Sequence, residues 1–175
     1  LVHPTIQYWV GSPDGVTKDT VIDIKCPMTR KSFYRLVKPL RDGLTGMDAM
    51  NKIRETHEEG DKYYFQLVSN AILTGKKYAE LIVYMPYKSE LPEIRLLADG
   101  NPDVYWISFS PDSGLPSIKD GGKFKNLNII RFEVPESDKY LLTKRVLEAG
   151  KLLEERDPDP SVIIASHEAG VTLIE

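Results

Sequence analysis

Asp14, Asp23 and Lys25 are the first residues in this chain whose types and spacing could do chemistry. Asp14 falls in the turn Gly11-Ser12-Pro13-Asp14-Gly15, and nine positions later Asp23 opens an acid-x-Lys triplet inside the apolar run Val21-Ile22-Asp23-Ile24-Lys25-Cys26. Two carboxylates with a backbone carbonyl are hard oxygen ligands, the set that magnesium prefers and manganese also accepts. An ammonium group beside them can orient or help deprotonate a water and offset the charge that develops on a phosphate. The combination implies metal-dependent cleavage of a phosphodiester.

Positioning these groups takes a turn and a strand. Strand side chains alternate, so Asp23 and Lys25 are expected on one face, carrying chemistry, and Ile22, Ile24 and Cys26 on the other, carrying core. Cys26 then reads as a small buried hydrophobe rather than a nucleophile. Pro13 fixes its own backbone angle and Gly15 accepts a positive one. A hairpin from Thr5–Val10 through that turn into Val21–Cys26 would bring Asp14 near the Asp23 and Lys25 face. Each piece alone is ordinary, since Ser-Pro-Asp-Gly is a common turn and Asp-x-Lys suits a half-solvated edge strand. Ser110-Pro111-Asp112 repeats the tripeptide with no such strand behind it and reads as a loop. The order and closeness of the two elements favour a site.

Directly after it, Lys25, Arg30, Lys31, Arg35, Lys38 and Arg41 occur with no Asp or Glu among them, and Phe33 and Tyr34 lie inside the stretch. This is either a solvated helix face or a set of phosphate contacts with a stacking aromatic. On the second reading Arg30, Lys31 and Arg35 are nucleic-acid ligands, joined by Tyr63. Gly46–Glu59 has helical spacing, with His57 on its surface, and Glu55, Glu58, Glu59 and Asp61 form an outward acidic face. Asp61–Leu73 is a second helix, on which Tyr63, Gln66 and Asn70 make a polar stripe that could face a cleft. Tyr78–Met85 and Leu127–Val134 read as strands. Residues 87–126 form a loop-rich insertion or a hairpin, and its Lys119, Lys123 and Lys125 either lie on a surface loop, the favoured reading, or lean toward DNA. Ser137 caps a last helix with Leu142, Val146, Ala149 and Leu153 along one side. Asp157-Pro158-Asp159-Pro160 is a linker or turn, Val162–Ala165 and Val171–Ile174 suit a short hairpin, and His167-Glu168 has no partner at metal spacing.

At 175 residues the chain suits a single domain, 1–175, with a core of its own. Hydrophobic content of 41% and charged content of 28% are ordinary for globular proteins. The net charge of −3 weighs against a general nucleic-acid binder, so any such surface is local. One cysteine excludes an internal disulfide and fits a reducing compartment. With no signal peptide pattern and no membrane-length apolar run, a cytoplasmic location is expected.

Gly11-Ser12-Pro13-Asp14-Gly15, then Ile22-Asp23-Ile24-Lys25-Cys26-Pro27, and later Tyr63-Tyr64-Phe65-Gln66, resemble the YqaJ-type viral recombinase nucleases, in the lambda exonuclease branch of the PD-(D/E)XK superfamily. The resemblance covers roughly residues 3 to 86. It implies an α/β (α+β) fold with a restriction-endonuclease-like core, a mixed central β-sheet flanked by helices. It also implies two divalent ions and hydrolysis of DNA, commonly by a processive phage-type 5′-to-3′ exonuclease used in recombination. Residue by residue, it makes Asp14 and Asp23 metal ligands, the Ile24 carbonyl a third ligand, Lys25 the catalytic lysine and Gln66 a residue near the site. Its implied partners are DNA, further copies of the chain in a ring-shaped trimer, and a recombination or single-strand annealing protein. Asp23 stands where the family usually has glutamate. Family members also carry an upstream helical region with another glutamate, whereas Asp14 is the first acidic residue here, so the chain is expected to be a piece of a longer protein or a natural variant that lost or borrowed that segment. A sequence-specific endonuclease on the same core and a non-catalytic nucleic-acid-binding subunit stand as alternatives.

Overall fold

A computed structural model describes residues 1–156. The β-branched run Thr20–Lys25 forms strand β2, as such residues favour a pleated surface. Strand β1, Gly15–Val16, returns against it antiparallel through a tight turn in which Thr17 N–H donates to the Thr20 carbonyl at 2.8 Å. Strand β3, Tyr78–Tyr84, pairs parallel to β2, and strand β4, Leu127–Glu133, pairs antiparallel to β3. The sheet is therefore mixed, in the order β1-β2-β3-β4, and helices flank it.

Two adjacent parallel strands need a long crossover. Helices α1 (Arg30–Arg41), α2 (Gly46–Thr56) and α3 (Gly60–Thr74) supply it between β2 and β3. Thr29 starts α1 by accepting from Ser32 N–H, and Gly75 ends α3 in the left-handed conformation. The α2–α3 corner is too tight for a side chain, because a Cβ on Gly60 would lie 2.4 Å from the Ile53 carbonyl oxygen. Helices α4 (Leu91–Asp99) and α5 (Trp106–Phe109) lie between β3 and β4, and α6 (Glu136–Arg156) packs on α3.

The core sits between one face of the sheet and α1–α3. Val21 of β2, Ala79, Leu81 and Val83 of β3, and Ile130 and Phe132 of β4 are buried on that face beneath Phe33, Leu36, Met50, Ile53, Tyr64 and Leu67. Each large side chain so covered contributes about 1.5–3 kcal/mol. Period-two alternation puts Ile24, Ile82 and Ile129, partners in register across three strands, on the other face, where Ile24 is 44% and Ile129 48% exposed.

The expected helices and the strands from Tyr78 and Leu127 form within a few residues of their anticipated ends, but α6 starts at Glu136, so Ser137 lies inside the helix rather than capping it. Other expectations fail. Thr5–Val10 is not a hairpin strand; an isolated bridge joins Val2 to Val10, and the hairpin turn lies at Thr17–Asp19, beyond Asp14. Cys26 is exposed, because β2 ends at Lys25 and the chain leaves the sheet there. His57 is buried rather than on the helix surface, since α2 stops at Thr56 and the ring turns inward at the corner. Residues 87–126 form no hairpin; Leu91–Asp99 and Trp106–Phe109 are helical between irregular segments. The anticipated Asp157–Pro160 linker, the hairpin of Val162–Ala165 with Val171–Ile174, and His167-Glu168 lie outside the described residues. No helix among the described residues is long and apolar enough to cross a membrane.

Candidate active site

The turn carrying Asp14 is held from two sides. A Cβ on Gly11 would meet Asn70 Oδ1 and a Leu73 methyl, each at 2.6 Å, so glycine lets the N-terminal segment run close over α3. Trp9 fixes that segment by donating from Nε1 to Ser69 Oγ at 2.7 Å. Beyond the turn, Asp14 N–H donates to the Ile22 carbonyl at 3.1 Å, and Asp14 Oδ2 accepts from Ile24 N–H at 2.6 Å. Asp14 is thereby clamped to the edge of β2, one step past the end of β1. In a strand the N–H and C=O of one residue share an edge, so the Ile24 carbonyl faces the Asp14 side and not β3.

Asp23 points the other way, into the structure. Expectation had the chemistry on one face of β2 and the core on the opposite one; instead Asp23 and Lys25 share the inner face with Val21, and Ile24 is exposed. Asp23 is 1% exposed, and Lys25 Nζ stands 2.8 Å from its Oδ2. That contact is an ion pair off hydrogen-bond alignment, so Oδ2 accepts no hydrogen bond among the described residues. Burial pushes the Asp23 carboxyl above its ordinary range; Lys25 partly offsets this and Asp14 adds to it.

Helix α3 completes the cluster. Its buried positions Tyr64, Leu67, Val68 and Ala71 face the core, which turns the neighbouring stripe of Tyr63, Gln66 and Asn70 towards β2 and the N-terminal segment. Lys25 Nζ donates to Gln66 Oε1 at 3.0 Å and lies 4.9 Å from the centre of the Tyr63 ring. The Tyr63 hydroxyl donates to Glu59 Oε2 at 2.6 Å, and burial, then this bond, raises its pKa. Asn70 is buried with its amide nitrogen unpartnered among the described residues.

Two residues around this cluster escaped the sequence reading. Glu59 sits four positions before Tyr63, a spacing at which helical side chains meet, and that was the available signal. His57 had none: its Nδ1 accepts from Glu59 N–H at 3.2 Å, which puts the ring proton on Nε2, 2.9 Å from Ser32 Oγ. The Arg30, Lys31 and Arg35 set lies on the first turns of α1 rather than around Asp14 and Asp23. Arg30 Nε donates to the Ser117 carbonyl at 2.6 Å, while Lys31 and Arg35 are exposed and unpaired among the described residues.

Among the described residues no group of three or more His, Cys, Asp or Glu side chains could hold an ion. The oxygen donors near the end of β2 are the Asp14 carboxylate and the Ile24 carbonyl on its edge and, on its inner face, the buried Asp23 carboxylate, whose Oδ2 accepts no hydrogen bond among the described residues. An all-oxygen set of this kind fits a hard divalent cation. Comparisons with family models, curated proteins and solved structures find no match to this chain.

Proposed function

We propose that this chain is a metal-dependent DNA nuclease that hydrolyses phosphodiester bonds on a restriction-endonuclease-like core. The reading is supported by the resemblance of its motifs and above all by one observation, the gathering of Asp14, Asp23, Lys25 and Gln66 at the end of β2. Asp14, Asp23 and the Ile24 carbonyl would hold Mg2+ or Mn2+, which when bound supplies a Lewis acid for the phosphate and lowers the pKa of water.

The remaining work falls to side chains. An ammonium group has three donors. One goes to Gln66 Oε1 and the charge is balanced by Asp23, which leaves a donor for the attacking water or a phosphate oxygen. The Tyr63 ring supports the same cation through its π face. Gln66 is thus a positioning residue for Lys25, and Tyr63 and Glu59 hold the helix side of the pocket.

An exonuclease of the phage recombination type, digesting 5′ to 3′, is the primary form of this reading. Comparing linear with closed circular DNA separates it from an endonuclease on the same core, since only an exonuclease requires an end. The non-catalytic alternative draws on the small number of carboxylates in the cluster. Titration calorimetry with Mg2+ and Mn2+ decides it: binding that is lost in Asp23→Asn supports the nuclease, and absence of binding in the parent chain supports the subunit.

A further inference from the structure

A second concentration of positive charge lies away from Asp14 and Asp23. The C-terminal half of α1 and the segment entering β4 enclose a groove of about 320 Å³, lined by Val37, Leu40, Arg41, Lys123, Phe124 and Lys125. A smaller cleft of about 220 Å³ adjoins it across Lys123 and Phe124 and is reached by Lys119. Phe124 stacks on Tyr34 with ring centres 4.4 Å apart, and the Arg41 guanidinium lies 5.1 Å from the Phe124 ring. These contacts pin the lysine-bearing segment to α1, so the groove is built into the fold. Arg41, Lys119, Lys123 and Lys125 form no ion pair among the described residues, while the neighbouring acids Asp42 and Asp120 are engaged by Lys38 and Ser89. In a chain of net charge −3, this is cationic potential left without an internal partner.

Its place in the sheet gives the groove direction. Lys25 pairs in register with Val83, and Val83 pairs with Asn128, which lines the groove. Lys25 and Asn128 are therefore two strand spacings apart, about 10 Å, at the same end of the sheet. That distance spans about three phosphates of one strand at 3.4 Å of helix rise each.

We propose that this groove holds the phosphodiester backbone of a nucleic-acid strand, a few nucleotides from the bond at Lys25. Binding is independent of sequence: Arg41, Lys123 and Lys125 contact phosphates, and the Tyr34–Phe124 pair offers an apolar wall. The location relative to a scissile bond rests on the nuclease reading; binding of the backbone does not.

The test is fluorescence anisotropy of a labelled duplex and of its single strand in EDTA, where hydrolysis is silent, over a salt series. Lys123→Gln/Lys125→Gln should bind about 10-fold more weakly near 0.1 M salt, with the slope of log affinity against log salt reduced by about 1.5–2. The full chain carrying Lys52→Gln/Lys62→Gln, on other helices, is the control. Equal binding by both double variants and the parent, or an equal loss in both, overturns the proposal, as does a parent that binds neither DNA. Inorganic phosphate and polyphosphate serve as competitors: displacement by polyphosphate alone supports a backbone track, whereas displacement by millimolar phosphate overturns it in favour of a single-anion site. Arg41→Gln, checked for melting temperature because its side chain packs on Phe124, should reduce the slope by about one further contact. Cleavage in Mn2+ is scored separately, so a groove that binds in a chain that never cleaves refutes the nuclease reading and leaves the groove standing.

Discussion

The Lys25 ammonium lies 2.8 Å from Asp23 Oδ2, and the carboxylate it faces is 1% exposed. A buried acid and its counterion therefore project from the same strand face two residues apart, so neither can be altered without consequence for the other. Lys25 is itself 20% exposed at the side chain, which tempers the energy of the pair.

Lys25→Ala leaves Asp23 buried and unpaired. A loss of about 1–3 kcal/mol in stability is expected, together with a fall of several orders of magnitude in DNA hydrolysis. Asp23→Asn/Lys25→Ala should recover most of the stability and none of the activity, because the amide carries no charge to strand. Chemical denaturation and a nuclease assay on all four members of the cycle measure this. Cleavage by Lys25→Ala equal to the parent's would remove Lys25 from the mechanism.

The raised Asp23 pKa has a definite sign. The folded chain takes up this proton before the unfolded chain does, so burial of Asp23 costs least below its ordinary value of 3.8 and costs more as pH rises through the raised folded value. Without divalent ions, the melting-temperature advantage of Asp23→Asn over the parent should grow with pH. Manganese should stabilise the parent more at about pH 7.5 than at about pH 5 and leave Asp23→Asn unmoved. Thermal melts at the two pH values give the answer.

Gln66→Ala removes the acceptor that holds Lys25 at 3.0 Å but leaves the ion pair with Asp23 in place. Because Gln66 is half-buried at the edge of α3, the fold should survive. A drop in kcat of about 10- to 100-fold with little change in KM is expected for a residue that positions another, or about 1.4–2.7 kcal/mol of transition-state stabilisation. A change confined to KM would make Gln66 a substrate contact instead.

His57 should make the α1–α2–α3 corner sensitive to acid. Burial holds its imidazole below the ordinary 6.5, and the neutral ring accepts from Glu59 N–H. A depressed pKa means stability that is present above 6.5 and is lost as pH falls through the ordinary value towards the folded one. His57→Gln should flatten the pH dependence of unfolding between about pH 5 and 7. An unchanged slope would assign the acid sensitivity elsewhere.

Much of this arrangement could be read before any coordinates. Long amphipathic segments such as Gly60–Thr74 and alternating ones such as Tyr78–Tyr84 announce themselves, because one buried face repeats at a fixed period. The polar stripe of α3 was legible for the same reason, but the bond that Gln66 accepts from Lys25 was not. The facing of β2 was not. Val21-Ile22-Asp23-Ile24-Lys25 has apolar residues on both faces, and solvation alone favours placing the two charges outward. Their mutual neutralisation, with the supporting amide from α3, puts them inward, and such tertiary pairing leaves no trace in local pattern. His57 and Cys26 were misplaced because each sits at the end of an element, where a shift of one or two residues decides burial. Gly11 shows the converse: its reason is contact with α3 from some sixty residues away, invisible in the turn itself.

Anomalous diffraction at the manganese edge from crystals of this chain soaked in Mn2+ tests the central claim most directly. The expected result is a peak bridging the Asp14 and Asp23 carboxylates and the Ile24 carbonyl, at about 2.0–2.3 Å from each oxygen, with Lys25 still beside it. A peak elsewhere, or none at saturating Mn2+, would contradict a divalent-cation site at the end of β2 and with it the nuclease reading.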